Sequence, residues 1–416
     1  MKGQKTMIDA AQLGDRLRAA RERRGLSQQA VAEALGLPRT AVTNMESGTR
    51  SVSTLELTRL ADLYGQQATF FLSMHEEAED LSIVLHRALP EMAGSPHLDG
   101  EVRRILDLYQ EGAGLRALLG RTVELSIPDY AAKLFSVGDA IRQGEDAALE
   151  ERRRLDLGAA PIVNMAALIS EQGIWTAATD LPDGMSGLFI NHAAIGPSIL
   201  VNAGHWPVRR RFSYAHEYAH ALFDRVVTVT TTRRENASEL VEKRANAFAA
   251  AFLMPPDGVA DALRQLDKGQ PSRLTQIIFD VAGNTGLEAE IRARPGSQAI
   301  TYQDAATLAR HFGVSYEAMV WRLKSLNHIG GPDTDALMAR KDTARRAIRL
   351  LGFLDLLDEG DVPPPPEPEL RSQLMRLSVE AYRQEEISRG RLLELARKLA
   401  IDGSELIELA DATRAD

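Results

Sequence analysis

The residues best suited to chemistry are two histidines four positions apart, with a glutamate directly after the first: His216-Glu217-Tyr218-Ala219-His220. On a helix this spacing puts both imidazoles on one face, where they can bind one tetrahedral zinc ion. The glutamate can then accept a proton from a water molecule activated by the metal. The alternative interpretation is a pair of core histidines beside a surface glutamate. The pattern favours a hydrolytic metal site, with His216 and His220 as ligands and Glu217 as general base.

The third metal ligand is expected to be a carboxylate. A catalytic zinc usually has three protein ligands, and the chain has no cysteine and no third histidine nearby. The downstream candidates are Asp224, Glu235, Glu239 and Glu242. Asp224 lies on the same predicted helix, and one straight helix rarely supplies three tetrahedral ligands. Glu239 and Glu242 both begin the next predicted helix on similar faces, so helical spacing does not choose between them.

Other polar residues near the motif have weaker claims. Ser213 shares the ligand face of the predicted helix and could orient a ligand. His192 and His205 precede that helix and could donate to an oxyanion, although ordinary strand or loop histidines are the simpler interpretation. Tyr214 and Tyr218 point away from the ligand face on an ideal helix, so we predict that they pack in the core.

The elements that position the motif are predicted to be a small antiparallel β-meander and two helices. Strand-like runs at 174–177, 187–190 and 198–202 are separated by Gly-containing turns. The motif helix follows, then a threonine-rich loop at 226–232, then a helix at 238–254 that Pro255-Pro256 ends. In zinc peptidases an edge strand next to the active-site helix can hold an extended substrate by main-chain pairing.

Composition limits the class of protein. The 416 residues, 44% hydrophobic and 26% charged, suit a globular chain of two or three domains. No apolar run approaches the roughly 18 residues of a membrane helix, and no apolar segment suggests a secretory signal. We therefore expect a cytoplasmic protein with no membrane partner. Residues 1–72 carry ten Lys or Arg and seven Asp or Glu, a net charge of +3. Because the whole chain has a net charge of −9, residues 73–416 have a net charge of −12. This asymmetry confines any nucleic-acid contact to the N-terminus.

The N-terminal segment predicts five short helices, at 11–24, 28–35, 39–47, 54–64 and 67–72. The runs Leu26-Ser27-Gln28-Gln29-Ala30-Val31-Ala32 and Thr43-Asn44-Met45-Glu46-Ser47-Gly48, with Gly36 between them, resemble Cro/C1-type (XRE-like) helix-turn-helix domains. We interpret Glu46 as a structural buttress and Gly48 as a C-cap.

The Cro/C1-type resemblance implies double-stranded operator DNA as a partner. It places Arg39, Thr40, Thr43 and Asn44 on the outward face of the recognition helix, where Arg and Asn can contact base edges, and Gln28 where a phosphate is met. A homodimer is expected, because one recognition helix reads only a half-site. The alternative is a helix-turn-helix-like unit that serves protein contact only.

The run from Arg211 to Leu222, together with Glu242-x-x-Ala245-Asn246-x-Phe248, resembles the ImmA/IrrE metallopeptidase family over about residues 150–256. In that family the carboxylate four positions before the Asn ligates zinc, which implies Glu242 as the third ligand. The implied cofactor is Zn²⁺, with Mn²⁺ as a substitute in vitro.

The resemblance to ImmA/IrrE proteins also implies an activity. Members include endopeptidases that cleave transcriptional repressors, and their fusion to a Cro/C1-like domain is a known arrangement. The implied substrate is a regulatory protein, such as a co-encoded repressor or antitoxin, in stress, mobile-element or toxin–antitoxin control. The alternative function is a transcription factor or antitoxin whose peptidase-like domain senses a ligand or partner without catalysis.

The predicted fold is mainly α with a small antiparallel β-meander: a five-helix helix-turn-helix domain, a helical connector, a zincin-like α+β peptidase domain and a helical C-terminal region. The predicted organisation is a tail (1–10), the DNA-binding domain (11–74), the connector (75–150), the peptidase domain (151–258), a helical domain (259–330) and the C-terminal region (331–416), with a Pro-rich linker at 362–368.

Overall fold

The computed structural model describes residues 10–23, 26–64, 71, 81–91, 95–121, 127–225, 227–233, 236, 238–269, 274–280, 285–291, 296–350 and 368–412. Contacts divide the chain into one compact unit over residues 1–78 and another over residues 79–416. Within the described ranges, no helix is both long and apolar enough to cross a membrane.

The first unit consists of short helices around one apolar core. The described helices are α1 (Ala10–Arg23), α2 (Gln28–Leu35), α3 (Arg39–Glu46) and α4 (Thr54–Tyr64). Ser27 caps α2 by accepting a hydrogen bond from the Ala30 N–H, and Gly36 ends it in the left-handed conformation with φ 68°. Leu17, Val31 and Met45 are buried between the helices. The predicted fifth helix at 67–72 lies outside the described residues apart from Phe71, as does most of the predicted tail.

A buried ion pair joins α1 to α3. Nε of Arg21 lies 2.6 Å from Oε1 of Glu46, and its NH2 group lies 3.0 Å from Oε2. The Gln28 side-chain amide donates to the same carboxylate at 2.8 Å. The Glu46 side chain is only 2% exposed. The prediction that Glu46 is structural is therefore consistent with its position.

Replacing Glu46 with alanine is expected to destabilise the first unit by about 3–5 kcal/mol, because Arg21 would keep a buried charge without its partner. Hydrogen exchange of α1 and α3 amides in the full-length protein measures the loss. Asp15→Ala is the control, since Asp15 pairs with Arg18 at 3.9 Å and its side chain is 70% exposed. That pair should contribute about 1 kcal/mol or less. Equal protection in both variants would contradict the expected role of the buried pair.

The second unit is mainly helical, with a small sheet in its centre. Its helices are α5 (Leu81–Ala88), α6 (Pro96–Leu118), α7 (Val137–Arg154), α8 (Met165–Glu171), α9 (Pro207–Phe223), α10 (Leu240–Leu253), α11 (Pro256–Gln265), α12 (Tyr302–Phe312), α13 (Tyr316–Ser325), α14 (Gly331–Ala339), α15 (Lys341–Leu350), α16 (Pro368–Arg383), α17 (Arg389–Lys398) and α18 (Gly403–Ala412). Its strands are β1 (Trp175–Thr179), β2 (Met185–His192), β3 (Gly196–Asn202), β4 (Val229–Arg233), β5 (Leu274–Asp280) and β6 (Thr285–Ile291).

The central sheet is mixed, so the prediction of an antiparallel meander is wrong for one strand. The strand order is β1-β3-β2-β4. β2 pairs antiparallel with β3 and β4, but β1 pairs parallel with β3. Alternation of apolar residues identifies strands without giving their order. The chain between β1 and β2 leaves room for β3 to insert between them.

The two faces of the sheet belong to different cores. Phe189, Ile199 and Val201 face α9 and pack in a cluster with Ala215 and Phe248. Leu188, Ile190 and Leu200 point to the opposite face, where residues of α5, α6 and the last three helices cover them. The helix that carries the histidines therefore lies on one buried face of the sheet.

α7 and α10 form the most extensive helix pair of the second unit. A Cβ atom at Gly144 of α7 would lie 2.8 Å from the backbone nitrogen of Phe248 in α10, so the two backbones approach closely. The predicted boundary between residues 150 and 151 falls inside α7. Residues 137–150, assigned by sequence to a connector, thus pack against the helix that carries Glu242.

Several segment predictions are wrong. Within the predicted helical connector, residues 127–135 lie in irregular structure, and Pro128 lacks the N–H that a helix would use. The threonine-rich loop contains β4, as suits β-branched residues next to an existing strand. The predicted helical domain at 259–330 includes the hairpin β5–β6. A closing pair of amphipathic helices, expected from the sequence at 369–412, is a set of three, α16 to α18. The Pro-rich linker lies outside the described residues except for Pro368.

Candidate metal centre and recognition helix

α9 holds both motif histidines in a buried position. Pro207 occupies its first turn, which suits a residue without an N–H, and no glycine or further proline interrupts the helix. Every residue from Ser213 to Phe223 is buried, between the sheet on one side and α10 on the other. The histidine rings of His216 and His220 lie edge to face, with centroids 5.0 Å apart.

His216, His220 and Glu242 converge on one point. Nε2 of His216 lies 3.1 Å from Oε2 of Glu242, and Nε2 of His220 lies 3.5 Å from Oε1. The two Nε2 atoms are 3.2 Å apart. A tetrahedral ion bound at about 2.0–2.1 Å requires ligand atoms about 3.3–3.4 Å apart. The three side chains are therefore placed so that they could hold one metal ion.

The outer nitrogens of both rings face acceptor oxygens. Nδ1 of His216 lies 3.1 Å from Oδ1 of Asn246, and Nδ1 of His220 lies 2.9 Å from Oδ2 of Asp224. Such partners favour the tautomer with the proton on Nδ1 and the lone pair on Nε2. Two lone pairs and a carboxylate this close together repel one another unless a proton or a cation lies between them. The donor set therefore fits a metal ion.

The charges around the centre also favour a cation. Burial lowers the pKa of His220. Hydrogen bonds with Asp224 and Glu242 and the charge of Glu217 outweigh this effect and raise the pKa to about 10. Burial raises the pKa of Glu242, but both histidines outweigh this effect and lower it to about 2. The site is thus rich in negative charge that a proton can balance. A divalent metal would replace that proton.

Glu217 lies against the sheet at Gly187, near the side chain of Thr232. Gly187 of β2 is opposite Thr232 of β4. A Cβ atom at position 187 would lie 2.6 Å from Oε1 of Glu217, so only glycine leaves room for this carboxylate. Neither carboxylate oxygen has a hydrogen-bond partner within the described part of the chain. Burial raises the pKa of Glu217, against the opposing effects of His220, His216 and the Thr232 hydroxyl.

The four candidate third ligands have different surroundings. Glu242 is the carboxylate beside both Nε2 atoms. Asp224 contacts the opposite nitrogen of His220, so it orients the ring and does not reach the Nε2 side. Glu239 is exposed at the N-cap of α10. Glu235 lies outside the described residues.

The remaining residues singled out from the sequence lie in or next to the elements that surround α9. Nδ1 of His192 accepts the backbone N–H two residues later, in the β2–β3 turn. His205 is half-buried in the turn before α9. Ser213 is buried on α9. Tyr214 and Tyr218 are in the core, and the Tyr218 hydroxyl donates to a buried glutamate of α7.

In the first unit, α3 exposes the residues assigned to base contacts. Arg39, Thr40, Thr43 and Asn44 are all exposed, whereas Val42 and Met45 on the other face are buried. Gln28, which the sequence places at a phosphate contact, makes hydrogen bonds within the unit. Its amide nitrogen donates to Glu46, and its amide oxygen accepts from the Thr43 hydroxyl at 3.1 Å.

Sequence reasoning did not identify the residues that contact Glu217 and His220 from other parts of the chain. Gly187 and Thr232 meet Glu217 only through strand pairing, which no local pattern reveals. Asp224 carried a usable signal, because it lies four residues after His220 on one helix and can bond its ring. Arg244, which contacts Asp224, carried no signal.

Comparisons with known proteins agree with this placement. Residues 169–278 match the model of the M78 peptidase family described as IrrE N-terminal-like domain. Residues 12–69 match a model described as helix-turn-helix domain. No curated protein matches the chain at a significant level.

One solved structure found by similarity is the crystal structure of Bacillus thuringiensis PlcR in complex with the peptide PapR7 and DNA. The alignment covers 98% of this chain and 99% of the PlcR chain, with 11% sequence identity and a TM-score of 0.17. A TM-score this low supports no conclusion about fold or function. The two family matches, in contrast, contain α2, α3 and all three converging ligands. The chain thus carries a match to a helix-turn-helix domain at residues 12–69 and a match to the IrrE N-terminal-like domain of the M78 peptidase family at residues 169–278.

Proposed function

We propose that this protein is a DNA-binding transcriptional regulator that carries a zinc-dependent endopeptidase, which cleaves a regulatory protein. The observation that carries the proposal is the convergence of His216, His220 and Glu242 beside a buried Glu217. Two histidines, one carboxylate and an adjacent glutamate are the parts of a hydrolytic zinc site. The preferred ion is Zn²⁺, with Mn²⁺ as a substitute in vitro.

The bound ion would polarise the scissile carbonyl and lower the pKa of the attacking water. Glu217 accepts the proton of that water at a carboxylate oxygen and passes it to the leaving amide nitrogen. Burial raises the pKa of Glu217, which makes its carboxylate a stronger base than that of an exposed glutamate. Thr232 and Gly187 hold the carboxylate between the sheet and α9.

The position of β4 at the edge of the sheet favours a peptide as the substrate. β4 is the edge strand, and it pairs with β2 on one side only, as far as the described strands go. All five of its residues are half-buried. An extended peptide that pairs with the free edge of β4 would run beside Thr232 and so beside Glu217. We propose a repressor or antitoxin encoded next to this protein as the substrate, in stress, mobile-element or toxin–antitoxin control.

The helix-turn-helix domain supports an operator as the second partner. Arg39, Thr40, Thr43 and Asn44 form one exposed face of α3 that is free to enter a major groove. Gln28 retains a second amide hydrogen for a phosphate. We propose a homodimer, since two recognition helices are needed to read two half-sites.

One observation favours a second function, a sensor without catalysis. Glu217 and His220 are fully buried, at 0% exposure, and Glu242 is 1% exposed. A substrate carbonyl must reach these groups before hydrolysis can occur. A centre that stays closed would bind a metal and signal through it without cleaving a peptide.

Incubation with neighbouring gene products separates these functions. The purified protein, loaded with Zn²⁺ or Mn²⁺, is mixed with each protein encoded beside it, and the products are analysed by gel and mass spectrometry. A single cleavage that is lost with a chelator and restored by added zinc supports the peptidase. Stoichiometric zinc without cleavage of any neighbour supports the sensor.

Gly187→Ala is expected to reduce cleavage by roughly 10²-fold or more, because the new methyl group displaces the general base. Zinc content should be retained, because the atoms nearest to a Cβ at position 187 belong to Glu217 and not to His216, His220 or Glu242. Gly114→Ala on α6 is the control, since a Cβ atom there meets nothing within 4 Å. Cleavage rates and zinc content are measured for both variants. An active Gly187→Ala enzyme would show that Glu217 does not act from this position.

A further inference from the structure

A chain of contacts continues behind His220, away from the ligand side. Asp224 uses its two carboxylate oxygens separately. Oδ2 lies 2.9 Å from Nδ1 of His220, and Oδ1 lies 2.6 Å from NH2 of Arg244. Arg244 is 2% exposed and lies on α10, two residues after Glu242. The same helix therefore carries a metal-ligand candidate and the partner of the residue that orients another ligand.

Arg244 is itself fixed at several points. Its NH1 group donates to the backbone oxygen of Ala132 at 3.3 Å, and its guanidinium lies over the Phe223 ring, 4.2 Å from the centroid. Stacking and forked hydrogen bonding are properties of arginine that lysine does not reproduce. The Asp224 carboxylate is thus held by a rigid donor and cannot turn without losing one of its two bonds.

The Asp224 side chain borders an open space into which it could turn. It lines an open surface groove of about 420 Å³ together with Phe223, Val241, Arg244 and the segment 131–134. Its side chain is 16% exposed, so water competes for its oxygens. Without the bond from Arg244, the carboxylate could rotate into this groove and release the ring of His220. The Nε2 atom of His220 would then lose its fixed direction.

We infer that Arg244 is a positioning residue that sets the metal affinity of the site through Asp224 and His220. The inference rests on the metal centre of the proposed function but not on peptide cleavage. Residues that orient a metal-bound histidine in this way typically contribute 10- to 100-fold in metal affinity. Arg244 acts one contact further out, by holding the carboxylate that holds the ring.

Another buried arginine provides a control that distinguishes an effect on metal binding from a general loss of stability. Arg152 on α7 is also 2% exposed, and it donates to backbone oxygens of Gly158, Ala160 and Phe252. These contacts do not include a metal-ligand candidate. Arg152→Met and Arg244→Met therefore remove the same side chain from similarly buried places, but only the second breaks the chain of contacts to His220.

The test measures the zinc dissociation constant of the full-length protein by competition with a chelator, and the visible spectrum of bound Co²⁺. We expect Arg244→Met to raise the dissociation constant about 10- to 100-fold and to alter the Co²⁺ bands. Arg152→Met should lower the melting temperature but leave both readouts close to wild type. Arg244→Lys, which keeps the charge without the fork, should restore part of the affinity.

Two results would overturn the inference: an unchanged zinc affinity in folded Arg244→Met, or an equal loss in Arg152→Met. If Arg244→Met does not fold, Arg244→Lys and Asp224→Asn decide, since each should weaken zinc binding and an unchanged constant in both contradicts the inference. Wild-type protein that binds no zinc removes the inference together with the proposed function. Wild-type protein that binds zinc without cleaving a substrate removes the peptidase alone.

Discussion

Replacing Glu217 with glutamine is expected to abolish peptide cleavage while leaving the metal bound. Glutamine has almost the same shape, so it fits the space between Gly187 and Thr232 that the glutamate fills. It cannot accept a proton from the attacking water. General base catalysis contributes about 10²- to 10⁴-fold, so the remaining activity should fall below detection on a gel.

Zinc content and rate are measured together for this variant. Glu239→Gln is the matched control, because it makes the same chemical change at an exposed N-cap on α10, the helix that carries Glu242. We expect full zinc content in both variants and cleavage by the control alone. Cleavage at the wild-type rate by Glu217→Gln would show that another group moves the proton. Loss of zinc in Glu217→Gln would show instead that this residue supports the ligands.

The parts of this protein that could be predicted from sequence depend on local spacing. His216 and His220 share a face because four residues make just over one helical turn. Ser27 and Gly36 bound α2 through their own backbone preferences, and the structure has both caps. The choice of Glu242 over Glu239 did not follow from spacing and required resemblance to a known family. In the structure, Glu242 lies beside the histidines and Glu239 is exposed.

The parts that could not be predicted depend on contacts between distant segments. Strand alternation did not reveal that β3 lies between β1 and β2. The environment of Glu217 requires Gly187, thirty residues earlier, to be paired with Thr232. Residues 137–150 of α7 were assigned to the connector, yet Gly144 brings this helix against α10. Such close approaches depend on tertiary packing, and the residues that make them are not separated by a regular spacing in the sequence.

The same limit applies to Asp224. Its spacing from His220 allowed two roles, as a ligand or as a partner of the ring, and both are compatible with one helix. The structure places its carboxylate on Nδ1 because Arg244 holds the second oxygen. The role of one side chain was therefore decided by a residue on another helix. The two histidine ligands could therefore be predicted from spacing, whereas the contact between Asp224 and Arg244 could not.

The double substitution Arg39→Ala and Asn44→Ala is expected to remove sequence-specific DNA binding. Both side chains are exposed on α3, so their loss should not disturb the buried residues Val42 and Met45. A bidentate contact to a base contributes about 1–3 kcal/mol of discrimination, so two contacts correspond to roughly 30-fold to 10⁴-fold in affinity for the operator. Binding to unrelated DNA should fall much less, because it depends on phosphate contacts.

Fluorescence anisotropy with the promoter of the protein's own gene and with a scrambled duplex, at one salt concentration, measures both affinities. Arg59→Ala is the control, since Arg59 is exposed on α4, outside the recognition helix. It should leave the ratio of the two affinities unchanged. If the double variant keeps that ratio, the reading face is not on α3. If specific DNA binding is lost and the variant still cleaves its protein substrate, recognition of DNA and recognition of the peptide are separate functions of one chain.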